Sequence, residues 1–173
     1  MNTCFSIVTG DFVPTGGMDR ANYALADYIA RQGNNLHLVA HRVAPELIDR
    51  SNVTFDRVPK PLNSYSLGSP LLSRRGVSVG KQLSQTQTIR SIVNGGNCPY
   101  PDINWVHYVH AAYLPDSRTG IVANIKKQID RKIALKSERV ALQAAKMVIA
   151  NSILTQNHLI DLLDLEPSKI KTI

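Results

Sequence analysis

Two short apolar runs, separated by one amphipathic segment, constrain this chain most. Phe5-Ser6-Ile7-Val8 is almost continuously apolar, as a strand covered on both faces must be. Met18, Ala21, Leu25, Tyr28 and Ile29 then recur at helical spacing, with Asp19, Arg20, Asn22, Asp27 and Arg31 on the other side. Gly33 ends that helix, because glycine accepts the left-handed conformation just past a last turn. Leu36 to His41 follows as a second strand. The crossover through a single helix makes the two strands parallel.

The alternation continues along the chain. Residues 53–58 alternate as a peripheral strand, and residues 59–80, rich in Pro, Ser and Gly, read as a long loop. Residues 81–94 read as a polar helix and 95–101 as a turn, and Ile103 to Val109 is the next strong strand. Between 119 and 146 apolar residues recur as Ile121, Ile125, Ile129 and Ile133, then Val140 and Ala144. Spacing by four drifts around a helix, which predicts a break near 134–138. Met147 to Ala150 is a buried strand, Ser152 caps a helix running to about Leu163, and residues 169–173 begin a further element after Pro167. The class is α/β, with a doubly wound, mainly parallel, Rossmann-like sheet and residues 1–173 as one domain.

Composition narrows the setting. Apolar residues make up 43% of the 173, too many for a disordered chain, and no run is long enough to span a bilayer. The first ten residues lack the basic-then-apolar pattern of an export signal, and neither Cys4 nor Cys98 sits in a context that suggests a bridge. The expected compartment is therefore reducing and cytoplasmic. A net charge of +7 suits an acidic partner: nucleic acid, anionic lipid or a phosphorylated substrate.

In sheets of this class ligands bind beyond the carboxyl ends of the strands. That rule selects the loops after the first strand, after Val109 and after Ala150. Gly16-Gly17 opens a helix, where free amides and the helix dipole attract phosphate; a simple chain turn is the equal alternative. Gly10, Gly16 and Gly17 do not fit the dinucleotide fingerprint. Gly76 to Gln82 is one residue short of a phosphate-binding Walker loop and lacks its Ser or Thr, which excludes that ATPase class. His110 lies just past its strand and can exchange hydrogen bonds with a ligand near neutral pH. His107 and His110 are an odd number apart, so on one strand they face opposite sides and share no metal. His37 and His41 share a strand face without a neighbouring carboxylate or Cys, so no metal site is expected. Asn151-Ser152 forms a helix cap whose free amides border the cleft. Lys126, Lys127, Arg131, Lys132, Lys136, Arg139 and Lys146 make a basic helix face, either solvated or interfacial. Few aromatics accompany it, which argues against nucleic acid.

These pieces, in this order, resemble the N-terminal domain of GT-B fold glycosyltransferases, in particular retaining family 4. The matching features are the Gly16-Gly17 loop, Val106-His107-Tyr108-Val109-His110, the run from Glu138 to Ser152, and Lys169 to Ile173. The resemblance implies that Gly16 and Gly17 approach the diphosphate of a nucleotide-sugar donor and that His110 contacts the transferred sugar. It implies that the first helix and the 59–80 loop shape the acceptor site, with Asp19 and Arg20 as candidates beside Asn151 and Ser152. The acceptor would be a sugar or a lipid-linked acceptor, the latter reached by peripheral membrane contact through the basic helix face, and neither metal nor cofactor would be required. In that family the donor site lies mostly in a second domain carrying two Glu eight positions apart. Glu46, Glu138 and Glu166 are the only glutamates here and form no such pair, so the chain alone is expected to be inactive. The rival readings are a non-catalytic ligand-binding or scaffold domain, and an oxidoreductase disfavoured by the absent fingerprint.

Overall fold

The computed structural model describes residues 3–100, 102–113 and 121–173, and only the backbone of 121–126. Expectations placed on residues 119–120, and on the side chains of Ile121, Ile125 and Lys126, lie outside the described residues. In chain order the elements are β1 (Cys4–Val8), β2 (Asp11–Phe12), α1 (Met18–Arg31), β3 (Asn35–Ala40), β4 (Arg42–Val43) and α2 (Pro45–Ile48). There follow β5 (Val53–Arg57), α3 (Tyr65–Thr86), β6 (Ile89–Val93), β7 (Ile103–Val106), α4 (Ile121–Ala144), β8 (Met147–Ala150), α5 (Ile153–Leu163) and β9 (Ile170–Thr172).

Seven strands form one parallel sheet in the order β5-β3-β1-β6-β7-β8-β9, the doubly wound class expected from the sequence. The chain winds outward from β1 to β5 on one side, then returns to the other edge of β1 with β6. The topological switch point therefore lies between β1 and β6, and their carboxyl-end loops diverge there.

Register sorts the core. Ile7 stands level with Leu38 and Ile92, and all three face the layer that holds Ala26 and Ile29 of α1. Val8 stands level with Val39 and Val93 and faces Leu72 and Val79 of α3. A third cluster joins Leu142 of α4, Val148 and Ala150 of β8, and Leu159 and Leu163 of α5. Each buried Leu, Ile or Val contributes about 1.5–3 kcal/mol, so an uncovered sheet face would be untenable.

That requirement explains where the sequence reading goes astray. The expected 59–80 loop contains most of α3, a helix of 22 residues. Its glycines do not mark a loop. Gly68, Gly76 and Gly80 are buried, and they let the helix backbone close on His41, on Val8 of β1 with Cys98, and on Tyr100 respectively. A Cβ on Gly76 would stand 2.9 Å from Cys98 Sγ and 3.0 Å from Val8. The expected helix over 81–94 ends at Thr86 and gives way to β6, which fills the place beside β1. The stretch between β1 and α1 contains the short strand β2, paired with β4. The strand expected to reach Val109 stops at Val106. The break expected near 134–138 does not occur: that segment holds no Gly or Pro, and α4 runs unbroken. The drift of its apolar spacing instead leaves Ile129 and Ile133 53% and 52% exposed.

Gly76→Ala separates close packing from helix propensity. Propensity alone would stabilise by about 1 kcal/mol. The overpacking expected against Val8 and Cys98 costs about 1–3 kcal/mol, so the denaturant midpoint is expected to fall.

Candidate active site

At the switch point the chain leaves β1 through Thr9, whose N–H donates to Val39 O at 3.2 Å. Thr9 Oγ1 accepts a hydrogen bond from buried Asn22 of α1 at 3.0 Å, which ties the loop base to the helix it feeds. Gly16 takes φ +80°, and Gly17 is the residue before the first turn of α1, with no atom within 4 Å of where its Cβ would be. The amides at the start of this 14-residue helix thus sit at an open edge.

The loop after β6 faces them. Asn94 donates to Trp105 O at 3.0 Å, and Gly95 O accepts from Asn104 at 2.9 Å. A Cβ on Gly96 would lie 2.9 Å from the backbone nitrogen of Glu138, so only glycine lets this loop rest on α4.

The third wall follows β7. Because the strand stops at Val106, His107 and His110 escape strand alternation and line one pocket, contrary to the opposite-sides expectation. Residues His110–Ala112 form a 3₁₀ turn. Tyr108 OH and His110 Nε2 lie 3.3 Å apart. Burial lowers the pKa of both His107 and His110, favouring neutral imidazoles. Asn94 Oδ1 and His107 Nε2 are buried without a hydrogen-bond partner among the described residues.

Under this wall lies Glu138. It shares the buried face of α4 with Ala141 and Leu142, a spacing where an apolar residue is the default. It is 0% exposed, and its oxygens accept the His110 N–H at 3.0 and 3.1 Å. Burial raises its pKa from 4.5 to about 7, against the N–H groups of His110 and Ala111, which pull it down. Met18, Asn94, Gly95, Gly96, Asn97, His107, Tyr108, His110 and Glu138 enclose a pocket of about 70 Å³.

A second polar cluster stands at the ends of β1 and β3. Asp11, 1% exposed, accepts from Arg42 and from Tyr65 OH, each at 2.9 Å, while its Oδ1 has no partner among the described residues. Burial, reinforced by Asp11, pushes the Tyr65 hydroxyl up to about 12. Lys60 sits 3.9 Å over the Tyr65 ring. Burial and then Asp11 raise the Asp19 carboxyl, with Arg42 and Lys60 opposing.

The sequence-selected residues therefore fall in three places. His110 lines the pocket, and Gly16 and Gly17 are not among its lining residues, although Met18, which follows them, is. Asp19 faces the Asp11 cluster, and Arg20 is exposed beside it in sequence. Asn151 and Ser152 are absent from the pocket lining and serve α5: Ser152 Oγ accepts the Thr155 N–H at 3.1 Å, and Asn151 Oδ1 accepts from the Thr155 hydroxyl at 2.7 Å. His37 does find a carboxylate, Asp56 at 2.7 Å, but no group of three metal-ligating side chains occurs among the described residues. Sequence reasoning missed the Asn94–Asn97 loop, Asp11, Tyr65 and the role of Glu138. The available signals were an apolar run, Ile89 to Val93, ending in Asn-Gly-Gly, and a glutamate at a core position of a helix.

Fold and site together define a parallel α/β domain with a ligand cleft at the switch point, matching a GT-B glycosyltransferase domain. The chain belongs to Glycosyltransferase Family 4, whose family model matches residues 15–173. It is similar in structure to WaaG, a glycosyltransferase involved in lipopolysaccharide biosynthesis, with a TM-score of 0.70 and 12% identity over 98% of this chain and 44% of that one. It is also similar to a glycosyltransferase from Rickettsia africae, with a TM-score of 0.52 and 15% identity over 99% of this chain and 42% of that one. The chain thus spans less than half the length of these structures. No curated protein matches its sequence. Among the described residues no helix is long and apolar enough to cross a membrane.

Glu138 makes stability depend on pH with a definite sign. Between pH 4.5 and about 7 the folded chain holds a proton that the unfolded chain has released, so this group's contribution to stability falls as pH rises. The full difference is about 3 kcal/mol. His107 and His110 act oppositely near their titration, so the quantity to measure is the wild type minus Glu138→Gln difference in urea midpoint from pH 5 to 7.5. That difference is expected to shrink steadily across the window.

Proposed function

We propose that this chain is the acceptor-side half of a retaining glycosyltransferase that moves a sugar from a nucleotide-sugar donor to a sugar or lipid-linked acceptor. A second, donor-binding domain completes the site. The observation that carries the reading is the pocket where Met18, at the start of α1, meets His110 across the Asn94–Asn97 loop.

In the reaction the bond between the sugar's anomeric carbon and the diphosphate breaks, a bond to an acceptor hydroxyl oxygen forms on the same face, and the hydroxyl proton passes to the departing diphosphate. Negative charge develops on the departing diphosphate, and the Gly16 and Gly17 amides with the α1 dipole are suited to meet it. His110, held neutral, offers a hydrogen bond to the transferred sugar without adding a cation beside a cationic transition state. Asp19 and Arg20, with Asp11 and Tyr65 behind them, supply the mixed donors and acceptors that a polyhydroxylated acceptor needs. No step calls for a metal or cofactor.

The test compares the full-length protein with this chain. His110→Ala in the full-length enzyme is expected to lower kcat about 100-fold or more in a sugar-transfer assay. The isolated chain is expected to show no micromolar nucleotide-sugar binding by isothermal titration. Full activity of His110→Ala, or tight binding by the chain alone, would overturn the reading.

Peripheral membrane contact has its own support. Exposed Ile129, Ile133 and Val140 share α4 with Lys132, Lys136 and Arg139. Co-sedimentation with vesicles is expected to need anionic lipid and to weaken with salt. Binding indifferent to both would remove this part of the proposal.

A further inference from the structure

Glu138 is at odds with its surroundings. Its neighbours on the inner face of α4, Ala141 and Leu142, and Ala145 just past the helix end, are all buried and apolar. A carboxylate in that company costs stability unless its oxygens are satisfied. They are satisfied by the backbone of one turn, through the N–H groups of His110 and Ala111. Those are amides at the start of a 3₁₀ turn, which have no carbonyl partner within it. The same stretch of α4 also supports the opposite loop, because Gly96 packs on the Glu138 backbone too closely to admit a Cβ. One residue therefore braces two of the three loops that line the pocket.

We propose that Glu138 is the positioning residue of this site: from α4 its carboxylate clamps the His110 turn and sets where the imidazole stands in the cleft. This deepens the proposed transferase function and rests on the reading of His110 given there. A buried carboxylate holding two N–H groups fixes the backbone of the turn, whereas an apolar residue of similar size would pack equally well and leave the turn free.

The clamp also has a pH range. Ionised, the carboxylate offers acceptor oxygens to both amides; protonated, it must turn one oxygen into a donor, which the amides cannot use. Its pKa of about 7 puts that change near neutrality. Among the described residues, the titratable groups lining the pocket with it are His107, Tyr108 and His110. The Asn94–Asn97 loop and Met18 bring none, and both imidazoles are neutral in the same range because burial lowers them. Among the described residues no cation lines the pocket to hold Glu138 ionised.

The experiment has two arms. In the first, amide NMR shifts of the chain are followed from pH 5.5 to 8.5. The His110 and Ala111 amides are expected to titrate together near pH 7, and the β1 and β3 amides to stay still. Glu138→Gln is expected to abolish that titration while the sheet resonances remain; Glu138→Met does the same should the glutamine variant fold poorly. Static His110 and Ala111 amides in the wild type would overturn the proposal without recourse to any variant. In the second arm, Glu138→Gln in the full-length enzyme is expected to lower kcat roughly tenfold to a hundredfold, as a small displacement of a reacting group does. Donor KM is expected to stay within about twofold, and the limb of the pH–kcat profile near 7 to disappear. An unchanged profile would overturn the proposal. A wild-type enzyme that transfers no sugar would instead sink the proposed function, and the amide titration would still decide the role of Glu138.

Discussion

The parallel pairing of β1 with β3 on one edge and with β6 on the other is the constraint on which the rest depends. It makes β1 central, and it forces the chain to leave in one direction and return in the other. Two neighbouring strands then send their loops to opposite sides of the sheet, and a crevice opens between them. Met18 at the start of α1, the Asn94–Asn97 loop and the His110 turn meet there because of strand order, not because of any affinity between them. The same pairing sets the layers of the core. Val8, level with Val39 and Val93, needs a cover, and α3 supplies it.

Much of this was legible in the residues. Hydrophobic spacing alone identifies β1, α1 and β3, since each buries one pattern against water in the way its period requires. Ser152 reads as a cap and proves to be one. The errors cluster where side chains are small. Glycine in 65–86 looks like loop chemistry when taken residue by residue, yet here it marks where a helix touches a sheet. Mistaking that helix hid β6, and with β6 hidden the loop beside the pocket went unseen. The two buried carboxylates were illegible for another reason. A sequence shows that Asp11 and Glu138 are acidic, but not that folding takes both from water and gives each a specific partner.

Those carboxylates divide the labour at the site. Asp11 gathers side chains, Arg42 and Tyr65, and so shapes a surface. Glu138 gathers backbone amides and so shapes a turn. The first arrangement can change its specificity by exchanging a partner side chain. The second cannot, since every residue type carries the same N–H. The fold thus joins an adaptable cluster of side chains to a fixed turn.

The close seating of α3 has a consequence for how this protein can vary. At Gly76 the helix meets Val8 and Cys98 through an atom that is absent. No substitution on the helix alone can restore such a fit; a larger residue there requires a smaller one at Val8. Shrinking Val8 in turn opens a gap beside Val39 and Val93. The segment that looks most like filler is therefore a seam where change must come in pairs, and the tolerant positions of α3 are the bulkier, exposed ones between its glycines.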